Sequence, residues 1–525
     1  MPDAFAVVRD EWFGREDSAV ADSVALMIGL AFVLGLVFML VARTSAQYVG
    51  LLDRPDGRRK VQSRPVAVVG GVALFVTTVT ALLVCYLVDP ALPPLLNEGL
   101  SQLQWLLASA TIIVLVGVLD DLKNLRARFK LLGQLVAAGL AVIGGGLIIR
   151  NVSVFGLPLD FGIFAVPVTI LWFLAAMNAI NLLDGMDGML GTLGLVICGS
   201  LGVMAMLAGH PVPGLIAFAL SGGLIAFLCF NKPPASIYLG DAGSMFIGLM
   251  VAALSVRAAL KGPAVAILTP IALLVLPFLD TSAAIIRRKL TGRGLAVADR
   301  GHLHHLLQKR GWSIPLSLLV VGGLGLVAAA GAIGSTYYGN DLIAVLAAAA
   351  VVLVLLVRGL FGVAETRLLA KRAVSVFSAT VSRPRAIEME VRLQGTAEWD
   401  DVWREITGRA ADLNLTAVYL DVNAPLWQEG YHRRWEIRGH QADHLTGWRV
   451  DLPLMGHGQV IGRLTVFGER GQSDIGDKLT ELSVLARRAE ELALFATLPY
   501  VQPKPTPPAP ASPSPTSPRT VPQSA

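Results

Sequence analysis

Charge is what this chain has least of. Of its 525 residues only 15% are Asp, Glu, Lys or Arg, against 54% hydrophobic, and the mean hydropathy is +0.63. A soluble domain carries about a quarter of its residues as charges, so one water-soluble core is excluded and most of the chain is expected in lipid. Cysteine is also scarce: Cys85, Cys198 and Cys229 lie far apart, each inside an apolar run. That spacing excludes a disulfide framework and zinc-ligand pairs, and with them redox chemistry. A third absence is a short apolar stretch with a cleavage-like site near the start. The first 22 residues instead hold Asp3, Arg9, Asp10, Glu11, Arg15, Glu16, Asp17 and Asp22, so no cleavable signal peptide is expected and 1–22 reads as an extramembrane segment.

What the chain does have is apolar runs of bilayer length. By the ~20-residue criterion they fall at roughly 23–42, 66–88, 102–119, 131–149, 163–180, 188–209, 214–230, 242–259, 265–283, 313–333 and 342–357. The expected fold class is therefore an all-α polytopic membrane protein of about 11 transmembrane helices, with a small cytosolic α/β domain and a disordered tail. Basic residues gather in alternate loops: Arg54, Arg58, Arg59, Lys60 and Arg64, then Lys123, Arg126, Arg128 and Lys130, then Arg287, Arg288, Lys289, Arg293, Arg300, Lys309 and Arg310. The positive-inside rule puts these loops in the cytosol, the N-terminus outside and the C-terminus inside, with Arg257 and Lys261 as exceptions.

The polytopic region is read as 23–360, and after Arg358 the composition turns soluble. Strands are predicted at 386–393, 416–423, 432–440, 447–454 and 459–467 and helices at 398–412 and 474–496, which makes 374–497 a small mixed α/β domain. A hairpin is predicted to turn at Gly456-His457-Gly458, where glycine supplies positive φ. Residues 502–525 are rich in Pro, Ser and Thr with almost no apolar side chains, and read as a disordered tail.

Polar groups concentrate where apolar runs meet cytosolic loops. Asp120 and Asp121 end the third run, at a helix C-terminus whose dipole already disfavours anions, so a cation is expected nearby. Solvated loop acids paired with Lys123 and Arg126 are the plainer reading. Asn178, Asn181, Asp184, Gly185, Asp187 and Gly188 lie between the fifth and sixth runs. A polar turn explains the glycines but not four carboxamide and carboxylate groups beside hydrocarbon. The segment from Asn231 to Ser244 ends by opening a helix at Gly240-Asp241-Ala242-Gly243-Ser244. Asp241 there suits either a metal or a simple cap. His302, His304 and His305 sit in the most basic loop, where Arg and Lys favour an anion over zinc and a solvated basic loop is the alternative. Carboxylates for Mg2+, amides and a basic loop on one face are the parts phosphoryl transfer requires.

These segments resemble the polyprenyl-phosphate N-acetylhexosamine-1-phosphate transferases over roughly residues 23–360. Gly117-Val118-Leu119-Asp120-Asp121 with Lys130 and Gln134 resembles the family's paired-aspartate segment, and Asn178 to Gly188 its DGxDG segment. Pro234-Ala235 through Ser244 is similar to its PAxxFxGDxGS segment, and His302 to His305 to its histidine loop. In the first cytosolic loop Gln62 stands where the family usually has histidine and Ala67 where it has a second proline.

The resemblance implies transfer of a sugar 1-phosphate from a UDP-N-acetylhexosamine, with UDP-N-acetylglucosamine the expected donor, to undecaprenyl phosphate. UMP is released, Mg2+ assists with Mn2+ as a substitute, and a cell-envelope glycan is begun. It implies Asp241 as principal metal ligand with Asn181 beside it, and Asp120 and Asp121 as catalytic acids near the lipid phosphate. Asp184, Asp187 and Asn231 would line the nucleotide site, while Lys130, Arg59, Lys60, His302, His304 and His305 would contact phosphates. Direct attack by the lipid phosphate is the expected mechanism, with a covalent aspartyl intermediate as the rival. The expected setting is the inner (plasma) membrane, with membrane lipid as a partner and no nucleic acid. The 374–497 domain is an addition to the family's usual chain, with regulation, homodimer formation and docking of a later enzyme all open. The alternatives from other classes are a transporter or flippase for polyprenyl-linked sugars and an inactive sensor that signals through the C-terminal domain.

Overall fold

The computed structural model describes residues 15–53, 65–97, 99–154, 157–259, 265–266, 268–290, 301–359, 386–394, 399–410, 413, 415–424, 429–437, 447–456, 459–469 and scattered positions in 480–491. Arg59, Lys60, Gln62, the 457–458 turn and the 502–525 tail lie outside the described residues. The chain divides into two compact units, Met1–Ala370 and Lys371–Ala525.

The first unit opens with α1 (Arg15–Val49), β1 (Leu52–Asp53), β2 (Val66–Val68), α2 (Gly70–Val88), the short α3 (Leu92–Asn97), α4 (Leu100–Lys123) and α5 (Ala127–Gly139), which runs on as a π turn to Gly144. It continues with β3 (Asn151–Val154), β4 (Leu157–Asp160), α6 (Ala165–Leu183), α7 (Met189–Leu207), α8 (Pro211–Asn231), β5 (Ile237–Tyr238) and α9 (Gly240–Ala259). The closing elements are β6 (Val265–Ala266), α10 (Leu268–Leu273), α11 (Val275–Leu290), α12 (Leu303–Lys309), α13 (Ile314–Tyr338) and α14 (Asp341–Val357). Among the described residues nine helices are long and apolar enough to cross a membrane, and the chain is a multi-pass membrane protein.

Two of the eleven expected spans do not reach that length. The run predicted at 265–283 is split into β6, α10 and α11, and the helix breaks at Leu274. Pro277 is the cause: it has no N–H for the Leu273 carbonyl four residues back, and its ring crowds that carbonyl. The last run, α14, is 17 residues long.

α9 is the axis of the unit, almost wholly buried and packed against α2, α4, α6, α7 and α8. Lipid gives helices no hydrophobic reason to associate, so close backbone approach by small residues has to supply the packing. Gly117 on α4 provides it: a Cβ there would lie 2.2 Å from Ala242 Cα on α9. Small sheets mark the two ends of α9. Strands β1, β2 and β5 form one just before it starts, and β4, β3 and β6 form the other just after it ends. Twenty residues at 1.5 Å rise separate the two sheets by about 30 Å, a bilayer's hydrocarbon thickness.

The second unit contains β7 (Ala386–Gln394), α15 (Trp399–Gly408), β8 (Leu415–Ala424), β9 (Glu429–Ile437), β10 (Gly447–Gly456) and β11 (Gln459–Glu469). Its sheet is antiparallel in the order β10-β11-β8-β9-β7, and the predicted hairpin pairs Gly456 with Gln459. Alternation buries Val418, Leu420 and Val422 on one face of β8, and Trp399, Val402, Trp403 and Ile406 supply the helical stripe that packs with them.

Candidate active site

α4 ends and α9 begins at the same end of the bundle, and Asp121 joins them. Its Oδ1 accepts the Asp241 backbone N–H at 2.9 Å and its Oδ2 that of Ala242 at 3.3 Å. The opening N–H groups of a helix have no partner within it, so Asp121 caps α9 from another helix. Asp120 faces the other way. Its Oδ1 accepts the Leu125 N–H at 2.7 Å, beyond the left-handed Asn124 that stops α4, and its Oδ2 lies 3.0 Å from Lys130 Nζ. The same ammonium lies 2.8 Å from Asp241 Oδ2. The cation expected beside the aspartates is thus Lys130, one turn into α5, rather than Lys123 or Arg126.

Asn181, on the last turn of α6, donates its Nδ2 to Asp241 Oδ1 and, at 2.8 Å, to Ser244 Oγ. Asn178, one turn earlier, donates to Gln134 Oε1 at 2.9 Å, which ties α6 to α5. The result is a continuous chain from Asp120 through Lys130, Asp241 and Asn181 to Ser244, built from α4, α5, α6 and α9.

The segment after α6 adjoins this chain. Asp184 is exposed at its own surface. Desolvation by the surrounding protein, then the nearby Asp241, Asp121 and Asp187, pushes its carboxyl up to about 7. Among the described residues, five carboxylates (Asp120, Asp121, Asp184, Asp187, Asp241) here gather around the Lys130 ammonium. Among the described residues no three acidic, His or Cys side chains form a complete metal cage. The donor set fits a hard divalent cation that takes one or two protein oxygens and completes its shell with phosphate and water.

Asn231 and Asp187, which the resemblance puts at the nucleotide site, also join two loops. The Asn231 oxygen accepts the Gly188 N–H at 2.8 Å and its nitrogen donates to the Ile237 carbonyl at 2.8 Å, so both ends of the carboxamide are engaged by backbone. Asp187 Oδ2 accepts the Ala235 N–H at 2.9 Å. Together they fasten the loop after α6 to the loop before α9.

The histidines reach the same loop from the other side. His304 is buried and packs on Gly185, where a Cβ would lie 2.2 Å from His304 Cε1. Burial, then His305 and His302, pushes its imidazole down to about 3, and its Nδ1 has no partner among the described residues. Held neutral by that burial, the ring packs on the Gly185 loop. The His302 ring lies parallel to it with centroids 6.0 Å apart, and that of His305 is 4.1 Å away. Behind His302 stands Asp280, which the sequence reasoning passed over. It is a single acid within the apolar 265–283 run, and intramembrane acids are functional candidates by default, so the signal was present.

Residues 103–259 match the family described as Glycosyl transferase family 4. The chain is 30% identical over 316 residues to the probable undecaprenyl-phosphate N-acetylglucosaminyl 1-phosphate transferase of Bacillus subtilis (strain 168), covering 58% of this chain and 84% of that protein. It is 31% identical over 351 residues to the decaprenyl-phosphate N-acetylglucosaminephosphotransferase of Mycobacterium tuberculosis (strain CDC 1551 / Oshkosh), covering 61% and 83%. Identity is 29% over 312 residues to the undecaprenyl-phosphate alpha-N-acetylglucosaminyl 1-phosphate transferase of Yersinia pestis, covering 58% and 82%.

Proposed function

The chain belongs to glycosyl transferase family 4, the polyprenyl-phosphate N-acetylhexosamine-1-phosphate transferases, and from that premise we propose that it transfers N-acetylglucosamine 1-phosphate from UDP-N-acetylglucosamine to undecaprenyl phosphate. The observation that carries this reading is the single ammonium of Lys130 held between Asp120 and Asp241. A lysine is a mobile, compact cation that can exchange a carboxylate for a phosphate without rebuilding its surroundings.

In the reaction, an oxygen of the lipid phosphate attacks the sugar-bearing phosphorus of the donor. A P–O bond forms there as the bond to the uridine-bearing phosphate breaks, and UMP leaves with the bridging oxygen. Asp121 is committed to the two N–H groups that open α9, so its part is to hold Asp241 in place. When Lys130 moves onto a phosphate, Asp120 is released to keep the lipid phosphate ionised. Both aspartates accept hydrogen bonds from protein on each oxygen, which supports direct attack over an aspartyl intermediate. Asp241 and Asn181 would hold Mg2+, or Mn2+ in its place, which when bound supplies charge neutralisation for the donor pyrophosphate.

The basic loops support a cytosolic site and a cytosolic C-terminal domain in a plasma (inner) membrane protein. The test is purified protein with undecaprenyl phosphate, Mg2+ and a panel of UDP-sugars, followed by UMP release. UMP with UDP-N-acetylglucosamine is expected. A folded protein that releases none with any donor would end the reading.

A further inference from the structure

The Asp280 carboxylate is 1% exposed, in the first half of α11, after the break at Leu274. Its two oxygens serve two adjacent residues: Oδ2 lies 2.9 Å from His302 Nδ1 and Oδ1 accepts the Leu303 N–H at 2.9 Å. A carboxylate accepts and does not donate, so the proton of this contact belongs to His302 Nδ1, and in the singly protonated ring Nε2 is the bare nitrogen. The second bond secures the first N–H of α12, the helix that carries His304 onto Gly185. One buried acid therefore sets both the tautomer of His302 and the place of the helix that packs on the Asp184 to Asp187 loop.

We propose that Asp280 is a positioning residue for the donor nucleotide: it fixes His302 with Nε2 free as a hydrogen-bond acceptor and anchors α12 against the Gly185 loop. This rests on the transferase reading above. A merely structural acid would lower turnover and stability together. A positioning residue acts through one substrate, because the Asp120–Lys130–Asp241 chain is built from other helices and does not include α11 or α12.

Two readouts test this. In the wild-type protein labelled with 15N-histidine, the His302 signal, assigned as the one lost in His302→Gln, is expected to show a protonated Nδ1 and a bare Nε2. Protonation at Nε2 alone overturns the inference, and this measurement decides even if no Asp280 variant folds. In steady-state assays Asp280→Asn is expected to raise the KM for the UDP-sugar about 10–100-fold, the usual size of effect for a residue behind a ligand, while the KM for undecaprenyl phosphate moves less than about threefold. Asp280→Glu, which keeps the anion, is expected to recover most of that loss. An equal rise in both KM values, or a fall in kcat alone, overturns it. Absence of UMP from the wild type defeats the transferase reading and the donor half of this inference, and the ring spectrum still decides the tautomer half.

Discussion

The two sides of the site are built on opposite electrostatic plans. On the acid side every carboxylate oxygen of Asp120, Asp121 and Asp241 has a donor, and the donors come from the loop after α4 and from α5, α6 and α9. On the histidine side a neutral ring is buried with Nδ1 unmatched among the described residues, and it packs on glycine and other imidazoles. The acid side carries an excess of negative charge held by fixed donors, ready to exchange partners when phosphates and a cation arrive. The histidine side gives shape: a rigid wall that fixes where the Asp184 to Asp187 loop stands. Charge and shape are therefore separable here, and each can be removed without the other.

The largest expected effect removes charge. Asp241→Ala takes away the oxygens shared by Lys130 and Asn181, and turnover is expected to fall at least ~1,000-fold, since Lewis-acid stabilisation of a transferring phosphate contributes several kcal/mol. The protein should still elute as a folded species in detergent. Retained rate with unchanged Mg2+ dependence would show that the metal is held elsewhere. A smaller effect comes from disturbing shape alone. Gly185→Ala puts a methyl 2.2 Å from His304 Cε1, so the ring or the loop must move, at a cost of about 1–3 kcal/mol for an overpacked interior. Loss of donor affinity with Mg2+ dependence unchanged is expected from titrations of UMP release. A change in Mg2+ dependence would mean that the two sides are not separable.

The same contrast explains what the sequence could reveal. Asp120, Asp121, Asn181 and Asp241 are legible because charge near hydrocarbon stands out against an apolar background, and their spacing from helix ends is short. The partner of the aspartate pair was not, because Lys123 and Arg126 are nearer in sequence, while Lys130 reaches back only after α4 stops at the left-handed Asn124 and α5 turns. Asn231 and Asp187 have the composition of a ligand site, but their hydrogen bonds to Gly188, Ile237 and Ala235 depend on the pairing of two loops more than 40 residues apart. The run at 265–283 is apolar enough for a span, and the Pro277 break prevails over composition because a missing N–H is a local covalent fact. In the second unit the five predicted strands agree with the described ones to within a few residues, and in β8 the alternation buries Val418, Leu420 and Val422 on one face.

The smallest expected effect is a pH dependence that belongs to the histidine side alone. His304 has its imidazole pushed down to about 3, below the usual ~6.5 of an unfolded histidine. Between those values the unfolded chain binds a proton that the folded one refuses, so the stability contribution is complete above pH ~6.5 and is lost as the pH falls toward ~3. His304→Gln, which cannot charge, lacks this loss. Apparent melting temperatures of the two proteins in detergent should agree above neutrality and separate on acidification, with the wild type falling faster. Acidic groups elsewhere titrate equally in both proteins and cancel in the difference. Parallel curves down to pH 4 would mean that His304 takes up its proton without cost, and that the wall on which Gly185 rests is open to water.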